Sequence, residues 1–253
     1  MGRDRPLVTE PIFPPPSAGH FALHYLGQSG VVLVSDRGTR IAVDPYLSDS
    51  VPLTRVAPVA CLPEDLEVDH IFLSHDHSDH TDPQTCLAVM RARHVQIWGP
   101  PSSMNVLRGA GARPDRLHPL ERGATANLRD VTVQAVHAQH TEDSVGYIIS
   151  LSGRTLYHTG DSELSEEMFW LHSREIDVML TCFAGRWEAM TAGQAASLAE
   201  ALRVDVVVPI HHDMFAENRS DPDTLVTAIK ARPASRASVK ILNPGDRWVY
   251  PEE

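Results

Sequence analysis

Ile71-Phe72-Leu73-Ser74-His75-Asp76-His77-Ser78-Asp79-His80 decides how this chain reads. A short apolar run, Ile71–Ser74, has the pattern of a strand. It breaks directly into three histidines and two aspartates within six residues. In an extended segment, side chains i and i+2 point the same way, so His75 and His77 can share one cation. Asp79 and His80 come a turn later, too far round to join the same ion easily, but able to serve a second one. Asp82-Pro83 then opens a helix, because aspartate is a good N-cap and proline fits the first helical position. Its expected core-facing residues are Leu87, Met90 and Val89.

A tetrahedral site needs about four ligands and a dinuclear one needs more, so further donors must come from elsewhere in the chain. The sequence holds 14 histidines, and eight of them fall in four short segments. Apolar runs at 131–136, 155–158 and 204–210 read as strands, and each ends in donors. His137 and His140 follow the first, Asp161 follows the second, and His211 and His212 follow the third. A rigid sheet presents such residues from the loops at its strand ends.

Outward from these segments, Ala22–Leu26, Val31–Ser35 and Ile41–Asp44 read as consecutive antiparallel strands separated by Gly- and Asp-bearing turns. Val95–Trp98, Val145–Leu151, Ile176–Thr181, Val239–Leu242 and Arg247–Tyr250 read as further strands. Pro101–Ala110, Thr191–Leu202 (with Thr191 as N-cap) and Asp221–Ala231 (with Pro222 at the first position) read as helices. Residues 48–68 are expected to be irregular. The run 204–210 is apolar on both faces and needs cover on both sides. The expected fold is therefore α/β, a layered sandwich with sheets inside and helices outside. Residues 1–19, with five prolines between Pro6 and Pro16, form a Pro-rich arm. Residues 20–253 form a single domain, and the arm offers an exchanging element for a homo-oligomer.

Composition narrows the function. With 22 basic and 33 acidic residues, the formal charge is −11, which argues against a nucleic-acid footprint. No apolar run approaches the ~18 residues of a membrane span. Three scattered cysteines (Cys61, Cys86, Cys182) and no apolar leader at the start point to reduced thiols and a cytoplasmic location.

Leu26-Gly27-Gln28-Ser29-Gly30, His75–Asp82, Tyr157-His158-Thr159-Gly160-Asp161-Ser162 and Pro209-Ile210-His211-His212-Asp213-Met214-Phe215 together resemble the metallo-β-lactamase superfamily, in its L-ascorbate-6-phosphate lactonase branch. The resemblance implies a four-layer αβ/βα sandwich with a dinuclear site at one edge. Carried onto matching positions, it implies that His75, His77 and His140 bind one metal, that Asp79, His80 and His211 bind the other, and that Asp161 bridges them. It prefers His140 to His137 and His211 to His212. The chain is shorter than the lactonases before Val145 and at its carboxyl end, and it carries His140, so the implied activity is that of a related hydrolase. A hydroxide held between two divalent ions would attack a lactone, a related ester or, alternatively, a phosphoester. Asp79 would accept its proton, and a metal-bound water or His212 could supply one to the leaving group. Nitrogen and oxygen donors suit zinc, manganese or iron. Zinc is favoured by the ligand chemistry and manganese by the resemblance, while His77 stands where iron-based electron-transfer relatives resemble a pattern with Glu. The expected partner is a small, anionic substrate, with Arg186 and Trp187 near the mouth.

Overall fold

The protein is described here by a computed structural model covering residues 12–183 and 189–252. Arg186 and Trp187 lie outside the described residues. The chain builds β1 (Phe21–Gly27), β2 (Gly30–Val34), β3 (Arg40–Val43), β4 (His70–Phe72), α1 (Pro83–Ala92), β5 (Gln96–Gly99), α2 (Pro101–Gly109) and β6 (Leu117–Pro119). Next come β7 (Thr125–Asn127), β8 (Val131–His137), β9 (Val145–Leu151), β10 (Arg154–His158), α3 (Glu166–Phe169) and β11 (Val178–Cys182). The chain closes with α4 (Ala192–Leu202), β12 (Val206–Ile210), α5 (Asp223–Lys230), β13 (Ser238–Val239) and β14 (Arg247–Tyr250).

The strands form two seven-stranded sheets, ordered β14-β1-β2-β3-β4-β5-β6 and β13-β12-β11-β10-β9-β8-β7. Each has the same grammar. β14, β1, β2 and β3 pair antiparallel, and β3 to β6 pair parallel. In the second sheet β7 to β10 pair antiparallel, and β10 to β13 pair parallel. This repetition lies in topology and has no counterpart in an obvious sequence repeat.

Period-two alternation assigns the layers. Phe72, Val31, Leu33, Tyr147, Leu156, Val178, Leu180, Val208 and Ile210 point between the sheets and form one buried cluster. Their alternates on the first sheet, such as Ile71, Leu73, Val32 and Ala42, pack outward with Cys86 and Val89 of α1 and Met104 and Leu107 of α2. On the second sheet, Tyr157, Met179 and Val207 pack outward against Leu198 of α4 and Leu225 and Ile229 of α5. The order is helix, sheet, sheet, helix, which is the expected four-layer sandwich. Each fully buried Val, Leu or Ile contributes roughly 1.5–3 kcal/mol of transfer free energy, which makes the both-faces-apolar strand β12 a strong tie.

Several expectations shift. α1 turns Cys86 and Val89 fully inward and leaves Leu87 and Met90 half-buried. The strand read at Val239–Leu242 is only Ser238–Val239; Pro209, opposite Thr181, has no N–H with which to extend that ladder. Pro222 sits just before α5 instead of on its first residue. Strands β6 and β7 and helix α3 are short and were not anticipated. The described end of the arm lies on the body: Phe13 is buried, packs edge-on to His24, and its carbonyl accepts from Arg40 Nε at 2.8 Å.

Candidate metal centre

Three of the second sheet's parallel strands end side by side, and their next residues carry donors. β10 leads to Asp161, β11 ends at Cys182, and β12 leads to His211. From the first sheet, β4 leads through Leu73 and Ser74 into His75–His80. Thr81 and His80 both donate backbone N–H to the His77 carbonyl (2.8 and 3.0 Å), and Thr81 Oγ1 donates to the His75 carbonyl (2.6 Å). This winds the loop tightly onto α1, where Asp82 accepts from the N–H groups of Gln84 and Thr85.

The structure brings together all seven residues marked by the sequence. The rings of His75, His77 and His140 lie edge-on, with centroids 4.6–4.8 Å apart. Ligand atoms of these three lie within 4.8 Å of one another, and so do those of Asp79, His80 and His211. His75 also groups with His80 and Asp161, so it lies closer to the second set than a reading by spacing allowed. One Asp161 carboxylate oxygen lies 3.3 Å from His80 Nε2 and 3.1 Å from His211 Nε2. His137 is not brought in; its Nε2 lies 4.0 Å from Glu167. His212 points elsewhere than His211. Its Nδ1 is 3.3 Å from Asp213, and it lines a cavity of about 400 Å³ with Tyr25, Gln28, Met214 and Pro244.

Residues that sequence reasoning gave no role complete the frame. Asp44 is fully buried and accepts from the Ser74 N–H (2.7 Å), Ser74 Oγ (2.6 Å) and His80 Nδ1 (2.8 Å). That last bond fixes the His80 tautomer and aims Nε2 at Asp161. Gln28 Nε2 donates to Asp79 at 2.7 Å, and the Gln28 carbonyl accepts from the His211 N–H at 2.6 Å. Asn218 holds the far side of the His211 ring, with Nδ2 3.1 Å from Nδ1. A signal for Asp44 was present: it ends the apolar run Ile41–Val43 just as His75 follows the run at 71–74. Gln28, Asp44, His211 and Asp213 all have positive φ (44° to 62°). Non-glycine residues pay about 1–3 kcal/mol each for such backbone, and here four of them converge on one site.

The electrostatics favour cations. Burial alone would lower the basicity of His80 and His211. Burial is the largest single influence at both, but their neighbours together outweigh it: Asp161, Asp79 and Asp44 at His80, and Asp161, Cys182 and Asp79 at His211, so both imidazoles rise well above their usual value. Burial opposes ionisation of Asp161 and Asp79, yet His211 and His80 hold both carboxyls well below the usual range. His75 is driven well down, first by burial and then by His80. Buried polar atoms are normally satisfied, but His75 Nε2, His80 Nε2 and Asp161 Oδ1 have no hydrogen-bond partner. Nitrogen and oxygen donors, buried and left unsatisfied beside the carboxylates of Asp79 and Asp161, fit divalent metal ions.

With this geometry in place, the comparisons give the class. Residues 39–212 match the model of the beta-lactamase superfamily domain, and the chain belongs to that family. It is 28% identical over 261 residues to the probable L-ascorbate-6-phosphate lactonase UlaG of Escherichia fergusonii, covering 82% of this chain and 73% of that protein. Among solved structures it superposes on Igni18, a metallo hydrolase from Ignicoccus hospitalis, with a TM-score of 0.74 at 24% identity, over 92% of this chain and all of that one. It also superposes on CmlA, a diiron beta-hydroxylase from Streptomyces venezuelae, with a TM-score of 0.70 at 19% identity, over 93% of this chain and 54% of that one. Both likenesses are of fold.

Proposed function

We propose that this protein is a dinuclear metal-dependent hydrolase that opens a lactone or a related ester, lactones of sugar phosphates included. The observation that carries the reading is the convergence of seven imidazole and carboxylate groups from four loops, with buried donor atoms that no protein group satisfies. His75, His77 and His140 would hold one ion, and Asp79, His80 and His211 the other, with Asp161 shared. Bound there, two divalent ions (manganese or zinc, with iron also fitting the donors) would supply Lewis acidity and a water made nucleophilic near neutral pH. The name of the Escherichia fergusonii relative supports a lactone as the substrate class.

The chain's own residues supply the rest. Asp79, oriented by Gln28, would take up the nucleophile's proton at a carboxylate oxygen. His212 would deliver a proton to the leaving oxygen. Burial lowers its basicity, with Asp213 opposing. An anionic substrate would be drawn by the bound cations. No helix among the described residues is long and apolar enough to cross a membrane; with three free thiols, a cytoplasmic small-molecule enzyme is the reading we adopt.

Elemental analysis of protein purified without added metal is expected to find two ions per chain; one or none would overturn the dinuclear reading. A panel of lactones set against bis-p-nitrophenyl phosphate is expected to show lactone turnover. Exclusive phosphodiesterase activity would replace the substrate class while leaving the metal core in place. His212→Ala with full turnover and an unchanged pH profile would remove the role given to His212.

A further inference from the structure

Among the described residues that group here as possible metal ligands, Cys182 is the one that the dinuclear reading leaves unused. Its position follows from sheet registry. In the parallel pairing, Leu180 lies beside His158 and Cys182 beside Ile210. One step beyond these partners the chain reaches the Asp161 loop on one side and His211 on the other. Cys182 therefore stands on the middle strand of three, between the two. Alternation places its side chain on the face of Val178 and Leu180, which point between the sheets toward the centre. The strand end is fixed as well. The Thr159 N–H donates to the Leu180 carbonyl at 3.0 Å, and the Cys182 N–H donates to Thr159 Oγ1 at 3.2 Å.

The thiol is fully buried, and Cys182 Sγ, a carboxylate oxygen of Asp161 and a ring nitrogen of His211 all lie within 4.8 Å of one another. A buried cysteine is usually an inert small hydrophobe. Two observations separate this one from that case. Its neighbours are an imidazole and a carboxylate, whereas Cys86, also buried, packs among apolar residues of α1 and the first sheet. In addition, Asp161, only 5% exposed, belongs to the same trio and keeps one carboxylate oxygen without any hydrogen-bond partner. An ion held by Asp161 and His211 would have the thiol within reach.

We infer that Cys182 is a further metal ligand, giving the ion held by His211 and Asp161 a sulfur donor and selecting a thiophilic metal, zinc over manganese, at that position. Coordination breaks the S–H bond, forms a sulfur–metal bond and releases the proton to solvent. Thiolate favours zinc, whereas carboxylate and water suit manganese. The inference rests on the dinuclear reading above and adds the softness of one of its two positions.

The test is cobalt substitution of the full-length protein, read by absorption. Visible bands report cobalt bound by the histidines and carboxylates, and a near-ultraviolet thiolate-to-cobalt charge-transfer band reports sulfur ligation. Both are expected in the native sequence. Cys182→Ser should lose the charge-transfer band and keep the visible ones, while Cys61→Ser should keep both. In parallel, protein equilibrated with equal zinc and manganese should hold a lower zinc-to-manganese ratio after Cys182→Ser. Visible bands without a charge-transfer band, or a band that survives Cys182→Ser, would overturn this inference alone. Failure to bind cobalt at all would overturn it together with the metal-centre reading.

Discussion

Asp44 shows how much one residue outside the predicted ligand set can decide. Its carboxylate takes a hydrogen bond from His80 Nδ1 and two from Ser74, so it fixes both a candidate ligand and the start of the loop that carries it. Groups of this kind typically change metal affinity 10- to 100-fold when altered. Asp44→Asn is therefore expected to weaken binding by about that factor in a chelator-competition titration; unchanged affinity would show that the carboxylate does not orient His80. At this scale the candidate ligands were legible because His, Asp and their i, i+2 spacing are written locally. The contacts of Asp44, Gln28 and Asn218 were not: Asp44 stood at a strand end as the ligands do, but a single buried polar residue shows its role only when its partner, 36 residues away in the case of Asp44 and His80, is placed beside it.

Among the elements, the turn between β10 and Asp161 carries the tightest constraint. Gly160 has φ +60°, and a Cβ there would lie 2.8 Å from the Val145 carbonyl oxygen and 3.2 Å from Ser74 Cβ. Gly160→Ala is expected to cost at least about 1–2 kcal/mol from backbone strain and to displace Asp161. Denaturant unfolding should show lower stability, and elemental analysis a reduced metal content; a stable, fully loaded variant would refute the constraint. α4 offers the contrasting case. Thr191 and Gln194 form a reciprocal capping box, and neither belongs to a group of possible metal ligands. Thr191→Ala should cost about 1 kcal/mol in the same unfolding measurement while leaving metal content unchanged. The caps Asp82 and Thr191 were readable because capping is a contact between near neighbours. The lengths of β6, β7 and β13 were not, because a two- or three-residue strand is defined by the strand beside it.

Over the whole molecule, charge balance in the centre links metal, pH and stability. Without metal, the protons on His80 and His211 supply the positive charge. Both have folded values well above 6.5, so their contribution is full below pH 6.5 and is lost as pH rises through those raised values. Asp79 and Asp161 are held low, so their contribution is present above the unfolded carboxylate range and is lost only in strong acid. Metal competes with the histidine protons, so its binding strengthens as pH rises. The chelator-treated protein is therefore expected to lose Tm from pH 6.5 upward, while the metal-loaded protein holds or gains, the gap widening with pH. Parallel melting curves would check this, and a constant gap would contradict it. The sequence alone determined the sandwich and the donor chemistry, because alternation, capping and ligand type are properties of neighbours along the chain. The tertiary structure showed which donors meet, setting His140 beside His75 and His77 as the resemblance implied, setting Cys182 beside Asp161 and His211, and supplying Asp44 and Gln28. Those meetings depend on sheet registry and on left-handed turns that only the packed whole can hold in place.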